Sequence, residues 1–124
     1  MKLEKFFKAI IDEDRASVVI CDKEHNIIYM NPAAVKNYEK RGGEGILSKS
    51  IFDCHNSRSV AAIKEVVNAF EQNPDLNRVF TFHNEKQNKD VYMVALRDEG
   101  GELLGYYEKH EYRNPDRSEK YKLK

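Results

Sequence analysis

The sequence predicts one α+β domain: a five-stranded antiparallel sheet with its helices gathered on one face, preceded by an amphipathic N-terminal helix. Three observations predict it. The apolar period changes from about 3.6 residues to about 2 past Pro74. Two β-branched segments precede the helical stretch and three follow it. At 124 residues the chain suits one core, because a chain of this size buries roughly two-thirds of its extended surface and two smaller cores would each be marginal.

Each element has a local reason. Leu3, Phe6, Phe7 and Ile10 recur at i, i+3, i+4 and i+7, with Lys2, Lys5 and Lys8 elsewhere, so residues 2–12 read as an amphipathic helix. Ser17 to Asp22 and Asn26 to Asn31 are apolar, β-branched stretches separated by Lys23-Glu24-His25, which makes a hairpin. Asn31-Pro32 supplies a capping side chain and then a proline at the first helical position, where its missing N–H is harmless, so a short helix runs from Pro32 to about Lys40. Residues 41–56 mix Gly42, Gly43 and Gly45 with Ile46, Leu47, Ile51 and Phe52, a pattern suited to short helical turns over a core. Val60, Ile63, Val67 and Phe70 then mark a long helix from Ser57 to Gln72, capped by Asn56 or Ser57 and ended by Asn73-Pro74.

Arg78 to His83, Asp90 to Arg97 and Glu102 to Tyr112 are rich in Val, Phe, Tyr and Thr and read as three meandering strands. Simple alternation places Phe80 with Phe82, Val91 with Met93 and Ala95, and Leu104 with Tyr106, without choosing which face is buried. Arg113 to Lys124 carries five basic and two acidic side chains and only Tyr121 and Leu123 as apolar ones, too few to offset ordering entropy, and reads as a charged tail. The expected divisions are therefore 1–12, 13–112 and 113–124.

Composition narrows the function. Lys plus Arg and Asp plus Glu number 21 each, so no overall positive field favours nucleic acid. No apolar run approaches the ~20 residues needed to cross a bilayer, and the N-terminus interleaves charge with apolar residues, unlike a signal peptide. The expectation is a cytoplasmic protein with no membrane or nucleic-acid partner. Cys21 and Cys54 are too few for a disulfide framework and are expected as free thiols.

Val18-Val19-Ile20-Cys21-Asp22, then Asn26-Ile27-Ile28-Tyr29-Met30-Asn31-Pro32-Ala33-Ala34, and later Arg97-Asp98-Glu99-Gly100-Gly101-Glu102-Leu103-Leu104-Gly105 resemble PAS sequence in family order, over about Ile10 to Tyr112. The resemblance implies a sensor of bacterial type whose sheet and helices enclose a ligand or are filled by side chains, and which dimerises through an N-terminal helix and its sheet. Ile51-Phe52-Asp53-Cys54-His55-Asn56-Ser57-Arg58-Ser59 is similar to a PAS subgroup with a Cys-His-x-x-x-Ser stretch, here Cys54, His55 and Ser59. That subgroup sometimes accompanies hemerythrin-like domains; none follows here, so output is expected through a separate effector protein.

The ligand-binding candidates are Cys54, His55, Ser59, Ile63, Phe80 and Met93, and the homodimer candidates are Leu3, Phe6, Phe7 and Ile10. Cys54 and His55 precede the long helix, whose N-terminus would lower a thiol's pKa, so a reactive or haem-ligating pair stands beside a plain reading as a capped helix start with a packed thiol. A zinc site lacks paired cysteines, with only distant His25 and His83 to add to Cys54 and His55, so no metal is expected. The flavin-linking Asn-Cys-Arg-Phe-Leu-Gln stretch is replaced, since His55 and Asn56 follow Cys54. No phosphate-cradling loop or nucleophile elbow is present, and adjacent Cys54 and His55 would diverge by ~100° on a helix, so no catalytic residue is assigned. Tyr92, Tyr106, Tyr107 and Tyr112 suit either a binding face or cross-strand packing. The expected function is a stand-alone PAS-type sensory module that binds an unidentified small molecule and acts through protein–protein contacts. A haem or redox sensor at Cys54 and His55, or a ligand-free interaction module filled by Phe52, Ile63, Phe80 and Met93, are the alternatives.

Overall fold

A computed structural model describes residues 2–123; the expectations touching Met1 and Lys124 lie outside the described residues. The strands are β1 (Val19–Asp22), β2 (Ile27–Met30), β3 (Arg78–Asn84), β4 (Lys89–Arg97) and β5 (Leu103–Tyr112), ordered β2-β1-β5-β4-β3 with every neighbouring pair antiparallel. Helix α1 is Leu3–Glu13, α2 is Pro32–Asn37 and α3 is Ser57–Gln72. Three 3₁₀ turns, Glu39–Arg41, Gly43–Ile46 and Ile51–Cys54, join α2 to α3.

Helices α2 and α3 and the intervening turns cover one face of the sheet. Phe70 and Ile27 lie fully buried there with Cys21, Met30, Ile51, Ile63, Val67, Met93 and Tyr106 in one continuous core. Burying each such side chain stabilises the fold by ~1.5–3 kcal/mol. Capping sets the helix starts: the Asn56 side chain accepts the Ser59 N–H at 2.8 Å. Helix α2 ends three residues short of Lys40, because Tyr38 leaves helical geometry and Gly42 and Gly43 take φ values of 114° and 52°. From Arg113 to Leu123 the tail has no regular structure, though the Arg113 N–H donates to Asn88 O and its guanidinium to Asp90.

Asn31 locks the strand–helix junction. Its Oδ1 accepts the N–H groups of Val18 and Ala34, each at 2.9 Å, and its Nδ2 donates to the carbonyls of Ile11 and Ala16, each at 3.0 Å. One fully buried side chain thus ties the end of α1, the entry to β1 and the start of α2 together.

Bulges correct the simple alternation. The register slips between Phe80 and Phe82, so Phe80 sits opposite Tyr92 and Phe82 opposite Val91. Tyr92 and Val91 point to opposite faces, hence Phe80 and Phe82 do too. A second slip, between Leu96 and Arg97, buries Leu103 in place of the exposed Leu104 beside Tyr106. Gly105 is needed where β5 meets β1: a Cβ there would stand 2.0 Å from Cys21 O, closer than any side chain tolerates.

Candidate functional site

Helix α3 crosses the covered face of β3 and β4, and between them lies a cavity of about 140 Å3. Its walls are His55, Ser59, Ala62 and Ile63 from the start of α3, Thr81, Phe82 and Met93 from the sheet, and Glu108 from β5. The arrangement follows from local chemistry. Ser50 caps the 3₁₀ turn Ile51–Cys54, the turn delivers His55, and the Asn56 cap starts α3 so that Ser59 and Ile63, four residues apart, share the face toward Met93.

The His55 Nδ1 stands 2.9 Å from Ile51 O, and a carbonyl only accepts, so Nδ1 carries the proton and Nε2 is left as an acceptor. Glu108 Oε1 accepts from His110 Nε2 at 2.9 Å. The cavity is thus an apolar space with an imidazole acceptor near one side and a carboxylate at another, suited to holding a small, mostly apolar molecule by one or two polar atoms. A smaller void lies deeper, against Cys21, Tyr38, Ile51 and Tyr106.

Of the candidates read from sequence, His55, Ser59, Ile63 and Met93 meet at this cavity. Phe80 does not: the β3 bulge turns it to the opposite face, where its ring packs 5.3 Å from Tyr92. Cys54 packs into the core, and Arg41 donates to its carbonyl at 2.7 Å. Burial pushes the Cys54 thiol up, with the Arg41 charge opposing, and pushes Cys21 up to about 12, so both carry their protons at neutral pH. Desolvation by the core is the largest influence on Cys54. Thr81, Ala62, Phe82 and Glu108 were missed. Alternation from Tyr106 would have found Glu108; the bulge concealed Phe82.

A haem does not fit this arrangement. The cavity is below the ~300–1,000 Å3 that drug-sized ligands occupy, and a porphyrin is at least drug-sized. Cys54 is packed away from the cavity, and His55 offers one imidazole edge in a space too small for the macrocycle. Among the described residues no cluster of three or more His, Cys, Asp or Glu side chains is placed to hold a metal ion. His25 instead bonds the Tyr106 hydroxyl at 2.9 Å, and His83 bonds Asp90 at 2.6 Å.

The dimer candidates Leu3, Phe6, Phe7 and Ile10 are each more than half exposed, and α1 buries none of its residues. Its apolar face continues into an outer-face cleft of about 290 Å3, walled by Ile10, Ile11, Val18, Ile20, Leu96 and Tyr107. Among the described residues no helix is long and apolar enough to cross a membrane.

The family profile described as the PAS fold matches residues 5–107. No curated protein matches the chain significantly. Among solved structures, a PAS domain from Colwellia psychrerythraea is similar at 14% identity with a TM-score of 0.66, over 90% of this chain and 98% of that one. The PAS domain of Bordetella pertussis BvgS is similar at 17% identity with a TM-score of 0.63, over 94% and 90%. The Aer2 receptor of Vibrio cholerae, a dual PAS-haem oxygen sensor, is similar at 20% identity with a TM-score of 0.51, over 76% and 90%. At these identities the likeness is one of fold.

Proposed function

The chain belongs to the PAS-fold family, and from that premise we propose that it is a sensory module that binds a small molecule between α3 and the sheet and relays occupancy through protein–protein contacts. The observation that carries this reading is the convergence of His55, Ser59, Ile63 and Met93 on one half-open, mostly apolar cavity. At ~30 Å3 per water-sized group, about 140 Å3 holds a molecule of roughly five non-hydrogen atoms. Such a ligand would bring one polar group to His55 Nε2 and leave its apolar part against Ile63 and Met93.

The relay surface in this reading is the apolar face of α1 with the outer face of the sheet. Leu3, Phe6, Phe7 and Ile10 pack on the same elements of a second copy, and a separate effector protein reads the pair. Contiguous exposed apolar surface of this kind marks interaction sites. A cytoplasmic setting fits the two free thiols, Cys21 and Cys54.

The small volume also favours a second reading, in which the same fold is an interaction module with no ligand. Native mass spectrometry of the purified protein separates the two. The sensor reading expects a dimeric mass carrying a small adduct, lost in Ile63→Phe, which fills the cavity; a clean apo mass for the wild type sinks the ligand and leaves the interaction module. A dimer mass unchanged by the double substitution Phe6→Glu and Phe7→Glu would remove α1 from the interface.

A further inference from the structure

Beyond the Glu108–His110 pair lies a second cleft of about 270 Å3, between the entry to β1, the end of α2 and the paired ends of β4 and β5. Ser17, Asn37, Tyr38, Gln87, Lys89 and His110 line it, and the site proposed above shares none of them.

Two of these side chains lack a protein partner among the described residues: Lys89 has no ion pair, and one ring nitrogen of His110 is buried unbonded. Lys89 is only 6% exposed, and lysine is almost never so deeply buried unless paired. Among the described residues no carboxylate lies in ion-pair contact with its ammonium; the nearest recorded interaction is with the Tyr112 ring, 5.5 Å from Nζ to the centroid. Burial holds its pKa below the ordinary lysine value, against the pull of Glu108.

His110 has a side chain 12% exposed, and its Nε2 bonds the Glu108 carboxylate at 2.9 Å. A carboxylate accepts, so Nε2 carries the proton and the Nδ1 of the neutral ring is a bare acceptor. That Nδ1 is buried with no hydrogen-bond partner among the described residues. Ser17, itself buried, accepts from Asn37 Nδ2 at its Oγ and keeps its own proton to donate. The cleft therefore presents the Lys89 ammonium, the hydroxyls of Ser17 and Tyr38 and one orphaned acceptor, a set that native structures satisfy with a ligand or ordered water.

We infer that this cleft is a second binding site, which takes a small hydroxycarboxylate: the carboxylate on the Lys89 ammonium and the Ser17 hydroxyl, the neighbouring alcohol donating to His110 Nδ1. The single lysine matches a singly charged head better than a phosphate, whose second charge would meet no cation among the lining residues and would lie near Glu108. The cleft accommodates roughly nine water-sized groups at ~30 Å3 each, enough for such an acid. The inference does not depend on the His55 cavity being occupied.

The test is a titration followed by ¹H–¹⁵N correlation spectra, with L-lactate, L-malate, propionate and inorganic phosphate as probes at matched ionic strength. The expected result is that lactate shifts the amides of Ser17, Lys89 and His110, that malate, with its second carboxylate, binds more weakly, and that propionate, lacking the alcohol, binds at least about tenfold more weakly than lactate. Lys89→Met keeps the buried aliphatic volume and removes the charge; it should weaken the hydroxy acid at least about tenfold without lowering thermal stability, and Ser17→Ala should weaken it less. Ile63→Phe, which fills the other cavity, should leave it unchanged. The inference is overturned if lactate does not bind at up to about 10 mM, if Lys89→Met binds as the wild type does, or if malate or phosphate is preferred.

Discussion

The Asn31 junction and the Lys89–His110 corner both take polar side chains out of water, yet they end in opposite conditions. Every polar atom of the Asn31 side chain is bonded to backbone from α1, the entry to β1 or α2. At the other corner the Lys89 side chain is buried with no ion-pair partner among the described residues, and the His110 Nδ1 is buried with nothing of the protein to bond. The difference separates two uses of buried polarity. A satisfied group specifies the fold, because removing it strands its partners; an unsatisfied one weakens the fold and is relieved only from outside.

The largest effect tests the satisfied side. Asn31→Ala strands the N–H groups of Val18 and Ala34 and removes the α2 cap, and should cost roughly 3–4 kcal/mol by urea denaturation. A loss below about 1 kcal/mol would mean that water replaces the side chain and would break the contrast.

At the unsatisfied corner the sign should reverse. Lys89→Met is expected to raise stability by about 1 kcal/mol near neutral pH, since an apolar side chain replaces an unpaired buried cation. The pH dependence sharpens this. The folded-state pKa of Lys89 lies below its ordinary 10.5, so in that window the unfolded chain binds more protons and this residue's contribution to stability rises with pH.

Tyr38, in the same cleft, acts in the other direction. Burial pushes its phenol from 10.0 up to about 12, so its contribution is fully present below pH 10 and is lost as pH climbs toward 12. Urea midpoints from about pH 8 to 11 should therefore fall more steeply in Lys89→Met and less steeply in Tyr38→Phe. Equal slopes in the two variants would contradict the assignment of opposite shifts.

The smallest effect is the exposed control. Arg78 and Glu111 pair at 2.8 Å on the surface, with the arginine side chain 54% exposed, and Arg78→Gln should change stability by no more than about 1 kcal/mol. A loss as large as that of Asn31→Ala would break the contrast between exposed and buried polar groups.

Local chemistry made much of the architecture readable. Asn31-Pro32 and Asn56 announced the starts of α2 and α3 because a cap bonds a backbone N–H two or three residues away, within the same stretch of chain. The change of apolar period announced β3 to β5, and the PAS-like segments in family order announced the sheet they form. At the candidate site, His55, Ser59 and Ile63 were accessible because they sit on one continuous turn and helix, and Met93 because β4 is free of bulges at that point. Phe80 was chosen where Phe82 belongs because a bulge is a mismatch between two strands and leaves no mark in either alone.

What the sequence by itself determined is therefore the set of elements, their order and the α+β class, all of which arise from interactions spanning a few residues. Tertiary structure alone decided which aromatic residues of β3 and β5 face inward, why Gly105 must lack a side chain, that the core raises the pKa of Cys54, and that Lys89 is buried. Lys89 reads along the chain as one more polar residue beside a turn. It becomes a buried cation only when β4 and β5 pair and the chain around Ser17, Tyr38 and Gln87 closes around it, since burial is a property of neighbours far apart in sequence.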